Sequence, residues 1–419
     1  MANRDVLTPD YAHNMRILGH CDQGGRGDGV QVMVSGGYAY VGHLFSNGWS
    51  VIDVRDPSKP TFVKHYPQPG ATWSQHLQTH GDLLLVVNMK DMLRDDGVET
   101  GDYYKGSIGD KIDTSGGDQS YSAGMRVYDI KDRANPVEIG FMPLEGLGLH
   151  RIWYTGGQWA YVSALPPGFT DDIFIIVDMS DPTNPKPVSK LWIPGMNAEA
   201  GEVPDWDPKH RYALHHAIIK GDLACGAWRD GGLTTMDVSD RHNPKMLSHV
   251  NFSPPFAGGT HNALALPDRN LLVVVEEAVF DNLEDGVKRN WVFDITDPAN
   301  PISISTLPIP DDFDYATKGG QFGPHNIHEN RPESFQSSDI IFVTYQNAGL
   351  RVYDIRDPFR PKEIAALVPP APETLMDHRP DRPKIVDTTD VFVDENGLIY
   401  ITDFNAGLYI LEMDEGLLD

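Results

Sequence analysis

Six near-copies of one phrase, a four-strand pattern inside each period and a seventh copy that stops short predict an all-β chain, a seven-bladed β-propeller closed by its N-terminal strand. The copies are "VIDVRDPSKPTFV", "VYDIKDRANPVEI", "IVDMSDPTNPKPV", "TMDVSDRHNPKML", "VFDITDPANPISI" and "VYDIRDPFRPKEI". Their closing prolines, Pro60, Pro136, Pro185, Pro244, Pro301 and Pro361, recur at roughly 50 to 75 residues, a blade with insertions. Within the first period the strands read "GVQVMVS", "YAYVGHL", "WSVIDV" and "TFVKHYP". Alternating β-branched and aromatic residues bounded by Gly, Asp and Pro suit half-buried antiparallel strands. The Asp-Pro phrase is then the hairpin between the third and fourth strands, where Pro sets φ and Asp bonds nearby backbone.

The seventh copy, "TTDVFVDENGLIYITDFNAGLYILEMDEG", ends after its third strand. The missing outer strand is assigned to "NMRILGHCD", Asn14 to Asp22, which precedes the first blade. Closure of this kind removes the exposed edge of an open array. The whole of 1–419 is therefore expected to form one propeller domain, with a lid-like insertion at 90–124.

Composition narrows the function classes. With 419 residues and 40% hydrophobic content the chain buries a large core. A formal net charge of −26, from 60 acidic against 34 basic residues, argues against nucleic acid and anionic membrane surfaces as partners. Two cysteines, Cys21 and Cys225, make neither a disulfide framework nor a Cys-rich zinc motif. The start "MANRDVLTPDYAHNMRILG" lacks a charged region followed by an apolar one, and no run reaches membrane-span length, so a cytoplasmic location is expected.

The unit "YVGHLFSNGWSVIDVRDPSKP", with "YITDFNAGLYIL" and "TYQNAGLRVYDIRDPFRP", resembles the LVIVD-repeat proteins, and the resemblance implies a β-propeller. It implies no chemistry, because a propeller scaffold serves many activities.

Function is sought in what the repeats do not share. The turns expected on one face are short and stereotyped, "ENRPESFQSSD" being the exception. Those on the other face are long and individual: the Lys90 to Gly124 insertion, "GMNAEAGEVPDWDPKH", "DDFDYATKGGQFG" and "PPAPETLMDHRPDRPK". Long loops on a compact domain are lids, binding loops or drifting surface. The insertion is read as a lid over the channel, with Tyr103, Tyr104 or Tyr121 as candidate substrate contacts.

Five innermost strands begin with histidine on that same face: His76, His150, His216, His261 and His325. Counting back from the hairpins places His76 and His216 at one position. Converging neutral imidazoles suit a divalent transition metal, Fe, Cu, Zn or Mn, and three or four with an open position make a catalytic site. The alternatives are a polar channel without metal and metal-free acid–base chemistry. The pair in "HNIH", His325 and His328, does not fit the HExxH pattern.

Loop residues on this face add catalytic candidates. Glu276 or Glu277 would orient a ligand or act as a base, and Arg229 would hold a substrate carboxylate. His43, Asn47, Trp228, Asp230, Tyr345, Gln346, Asp403 and Asn405 lie in the same loops. The expectation is a metal-dependent enzyme on a small organic substrate, oxidoreductase ahead of lyase or hydrolase. Its rival is a non-catalytic propeller that binds a protein or carbohydrate partner.

Overall fold

The Asp-Pro phrases behave as their residue types dictate. In the computed structural model, which describes residues 6–93, 103–112, 114, 120–256 and 258–418, each phrase carries two aspartates with separate tasks. Asp53 ends a strand and accepts from Arg55 N at 3.1 Å, while Asp56 Oδ1 accepts from Ser58 N at 3.0 Å. The backbone turn Lys59 N to Asp56 O, 3.0 Å, closes the hairpin. The same turn recurs at Asp132, Asp181, Asp240, Asp297 and Asp357. A short side-chain acceptor that bonds the amide two residues on is what selects Asp here.

The strands on either side pair into antiparallel sheets of consecutive order. The first runs Gly29–Ser35, Tyr38–His43, Trp49–Asp53, Thr61–Tyr66. Burial falls from the inner to the outer strand. Gly148–Trp153 is buried throughout, whereas Lys245–Val250 alternates between exposed and half-buried. Large side chains fill the space between sheets, as where Trp49 stacks on Tyr66 at 4.1 Å. The innermost strands pack side by side, and Thr388–Val393 of the last unit packs against Gly29–Ser35 of the first.

Strand Met15–Cys21 pairs antiparallel with Gly407–Met413, in a four-stranded sheet that continues through Ile399–Asp403 to Thr388–Val393. A strand not anticipated from the sequence, Tyr11–His13, adds to the outer edge of Lys362–Val368. Two short 3-10 turns, Asp281–Leu283 and Tyr315–Lys318, lie among the described residues. No helix among them is long and apolar enough to cross a membrane.

The described part of the Lys90 to Gly124 insertion docks on its neighbours. Ile108 N donates to Asp171 Oδ2 at 3.0 Å, and Arg211 holds Asp171 through Nε at 2.9 Å while Nη1 reaches Tyr103 O at 3.2 Å. Tyr103 and Ile108 are buried against the main apolar core. Residues 94–102, 113 and 115–119 of the insertion lie outside the described residues.

Candidate metal centre

Most of the innermost strands begin with an irregularity. Register shifts fall between Gly29 and Val32, Leu149 and Arg151, Tyr212 and His216, Thr260 and Asn262, and Thr388 and Asp390. A bulge re-aims the residue that it leaves unpaired. The residues so released include Val30, His150, His215, His261 and Thr389, and Gln75 and His325 hold the matching places ahead of Leu77 and Ile327. The next residue of each strand belongs to a second tier that includes His76, Arg151, His216, Asn326 and Asp390.

Four consecutive first-tier residues are histidines around one cavity of about 50 Å³. Ring centroids are 4.8 Å apart for His150 and His215, 3.5 Å for His215 and His261, and 4.6 Å for His261 and His325. Hydrogen bonds fix three tautomers. His215 Nδ1 lies 2.6 Å from His261 O, His261 Nδ1 2.5 Å from His325 O, and His325 Nδ1 2.5 Å from Thr389 O. A carbonyl only accepts, so each Nδ1 carries the proton and each Nε2 keeps its lone pair. The carbonyl that His150 would use by this pattern, His215 O, is taken by Ser163 Oγ at 2.9 Å. Both nitrogens of His150 are buried and find no hydrogen-bond partner among the described residues.

Glu277 faces the same atoms. Its Oε2 is 3.2 Å from His261 Nε2 and its Oε1 3.5 Å from His325 Nε2, and Arg229 pairs with Oε2 from the other side. Burial first, and neighbouring cationic groups second, hold His150, His215 and His261 well below the usual imidazole range. Burial also lowers His325, opposed by Glu277. Neutral imidazole lone pairs and a carboxylate therefore converge in a buried space, an arrangement that a cation relieves. Potential ligand atoms of His261, Glu277 and His325 lie within 4.8 Å of one another, as do those of His76, His150 and His215. This donor set fits a transition metal.

The structure corrects two of the sequence-derived positions. His216 does not join the cluster: its Nε2 bonds Glu329 Oε1 at 3.1 Å, and its neighbour His215 takes the site. The bulge between Tyr212 and His216 breaks the count back from the hairpin. Glu276 also turns away, accepting from Arg289 N at 2.7 Å and Trp291 Nε1 at 3.1 Å, with burial raising it to about 7. The next residue, Glu277, faces the histidines because successive side chains alternate at a strand end. His150, His261 and His325 line the cavity. His76 lines the cavity from the second tier, with Arg151 Nη1 at 2.9 Å from its Nδ1. Arg229 lines the cavity with its guanidinium already engaged by Glu277.

Of the remaining loop candidates, Gln346 lines the cavity. His43 bonds Ser50 Oγ at 2.7 Å, Trp228 Nε1 bonds Thr234 Oγ1 at 2.7 Å, and Asp403 accepts from Asp387 N at 2.6 Å, all serving local structure. Tyr103 and Tyr104 reach the cavity, whereas Tyr121 Oη bonds Gly146 O at 3.0 Å. Sequence reasoning missed Arg379 and Phe404, which also line it. It missed a buried network as well. Glu329 accepts from Arg151 Nη2 at 3.2 Å, stands 3.5 Å from Arg331 and receives His216. Burial alone would raise Glu329, but His216 and Arg151 outweigh it and hold it below the carboxylate range. The long turn "ENRPESFQSSD" was the available signal, since Glu329 and Arg331 come from it.

Fold and site together define a β-propeller whose innermost strands ring one small cavity with histidine. The sequence model of the LVIVD repeat matches three segments, residues 26–67, 155–190 and 217–251. The chain thus carries LVIVD repeats, in keeping with a β-propeller family built of them. No curated protein matches it. Among solved structures it is similar to a hypothetical selenium-binding protein from Sulfolobus tokodaii, at 14% identity and a TM-score of 0.55, covering 90% of each chain. It is also similar to the periplasmic gluconolactonase of Pseudomonas aeruginosa, at 10% identity and a TM-score of 0.51, covering 96% of this chain and 100% of that one. Likeness at this identity speaks for the fold alone.

Proposed function

We propose that the protein is a metal-dependent enzyme acting on a small organic molecule, its ion held by His150, His215, His261 and His325 on a seven-bladed ring closed by strand Met15–Cys21. The observation that carries the reading is the convergence of acceptors: three imidazoles whose Nδ1–H groups are spent on carbonyls, a fourth with neither nitrogen bonded, and Glu277 facing two of the lone pairs. Strand-borne ligands with fixed tautomers are preorganised for an ion. A bound Fe, Cu, Zn or Mn ion would supply an electrophilic centre with an open position. An all-imidazole set suits the redox-active members of that series, which puts oxidoreductase chemistry ahead of lyase or hydrolase chemistry.

The chain's own residues bound what enters. Tyr103 and Tyr104 of the insertion, with Leu93 and Phe404, wall the cavity, so the substrate is small and water is restricted. Glu277 is positioned to orient the ligand set or to take a proton from a bound molecule, and Arg229 pairs with it directly. Elemental analysis of protein purified without added metal tests the reading. One transition-metal equivalent per chain is expected, lost in His261→Ala. Glu277→Gln should lower activity far more than metal content, since the imidazoles remain. Wild-type protein with no ion after exposure to each candidate metal would overturn the proposal and favour a partner-binding propeller.

A further inference from the structure

His76 differs from the other four imidazoles in tier and in partner, and from His215, His261 and His325 in tautomer. Arg151 can only donate, so its Nη1 at 2.9 Å makes His76 Nδ1 an acceptor without a proton. A neutral ring then carries its proton on Nε2, the reverse of His215, His261 and His325. The guanidinium is itself fixed, with Nη2 at 3.2 Å from Glu329 Oε1 and 3.4 Å from Asn326 Oδ1, and it is almost fully buried at 1% exposure. The second-tier strand position explains the difference, because the His215, His261 and His325 rings reach the next carbonyl around the cavity and His76 reaches Arg151 instead. The His76 ring stands 5.0 Å from His150 and 6.1 Å from His215, so its remaining nitrogen borders the same cavity.

We infer that His76 is not a metal ligand but a hydrogen-bond donor that recognises an anionic atom of the molecule occupying the metal's open position, so that the site selects small ligands bearing an anionic oxygen, nitrogen or sulfur. This rests on the metal reading above. It deepens that reading by dividing the five histidines: lone pairs from the first tier face the ion, and one N–H set by Arg151 faces the ion's exchangeable ligand. His76 is therefore a specificity-determining residue.

Copper(II) and azide are suitable probes, because copper heads the affinity order for imidazole sites and azide is a small coordinating anion with a charge-transfer absorption. Full-length wild type, His76→Phe, His76→Gln and His215→Ala are loaded with copper(II), assayed for copper per chain and titrated with azide. His76→Phe should keep one copper per chain yet bind azide at least about tenfold more weakly, the scale of one lost charge-assisted hydrogen bond. His76→Gln, which retains an amide N–H, should recover part of that affinity. His215→Ala should lose the copper. If His76→Phe loses copper as His215→Ala does, His76 is a ligand and the inference falls while the metal reading stands. Equal azide affinity in wild type and His76→Phe also overturns it. If wild type takes up no copper beyond His215→Ala, the metal reading fails and this inference falls with it. Thermal melting of the copper-free proteins separates loss of fold from loss of site.

Discussion

Adjacent histidines in one strand give the sharpest test of the site. His215→Ala removes a first-tier imidazole whose Nδ1 is anchored 2.6 Å from His261 O. His216→Ala removes a second-tier imidazole bonded to Glu329 at 3.1 Å. Loss of an outer partner of a ligand already costs roughly 10- to 100-fold in metal affinity, so loss of a ligand should cost more than about 100-fold. His216→Ala should leave affinity within a few-fold of wild type, because Arg151 and Arg331 still hold Glu329 at 3.2 and 3.5 Å. It forfeits one charge-assisted hydrogen bond, about 1.5–3 kcal/mol. With an unfolding entropy near 2.1 cal/mol/K per residue over 419 residues, that is a fall of about 2–3 °C in melting temperature for a cooperative unit. Isothermal titration with metal gives the first quantity and calorimetry of metal-free protein the second, since a bound ion would mask the stability change. His242→Ala, in an exposed hairpin turn, and His249→Ala, on an outer strand, serve as controls for metal content. Comparable metal loss in His215→Ala and His216→Ala would refute the two-tier assignment.

Other outcomes follow from the same geometry. Deleting the residues before Asp22 removes the strand paired with Gly407–Met413, exposes a sheet edge and should lower the melting temperature and promote aggregation; an unchanged melt would rule out closure by that strand. Tyr104→Ala, at the cavity wall, should leave copper content intact and weaken azide binding, whereas an unchanged titration would make the tyrosine mere cover. Burial lowers the His150, His215 and His261 imidazoles well below the ordinary ~6.5. A less basic ring competes less for protons, so occupancy should persist as pH falls through that value and be lost only at lower pH, where the folded-state groups protonate. Metal release centred at the ordinary imidazole value, followed by equilibrium dialysis, would contradict the buried site.

Strands and turns were legible in this chain because their signals are local. Asp56 and its five counterparts announce a turn by their own side-chain chemistry, and the alternation in "YAYVGHL" needs no knowledge of the neighbours. The pairing of Met15–Cys21 with Gly407–Met413 had a related signal, since an unpaired edge forces a search for a partner and Met15–Cys21 has the outer-strand pattern. The site was legible only to within one residue. Of the residues singled out, His150, His261 and His325 line the cavity, whereas His215 and Glu277 line it in place of their strand neighbours His216 and Glu276. Both shifts fall where regular pairing stops, at a bulge in Tyr212–Lys220 and at the end of Leu271–Glu276. Period-two counting is valid only inside a regular ladder.

That failure has a physical cause that bears on function. A regular strand running along the central axis would aim its side chains at the sheet faces, where they pack. At three of the bulges the extra residue, His150, His215 or His261, faces the cavity instead, so the device that defeats counting also gathers three of the four imidazoles. Aligning the innermost strands on their apolar positions exposes the tiers without coordinates: His150-Arg151-Ile152, His215-His216-Ala217, His261-Asn262-Ala263, His325-Asn326-Ile327 and Thr389-Asp390-Val391 share one order, and Gln75-His76-Leu77 places His76 with Arg151 and His216. What no alignment of innermost strands contains is the approach of Glu277 to His261 and His325, or of Arg151 to His76, because Glu277 follows the second strand of its own unit, Leu271–Glu276, and the His325 and His76 contacts join successive units. The chemistry of the cavity is set at those joins: one carboxylate faces lone pairs, and one guanidinium decides which nitrogen of His76 carries the proton.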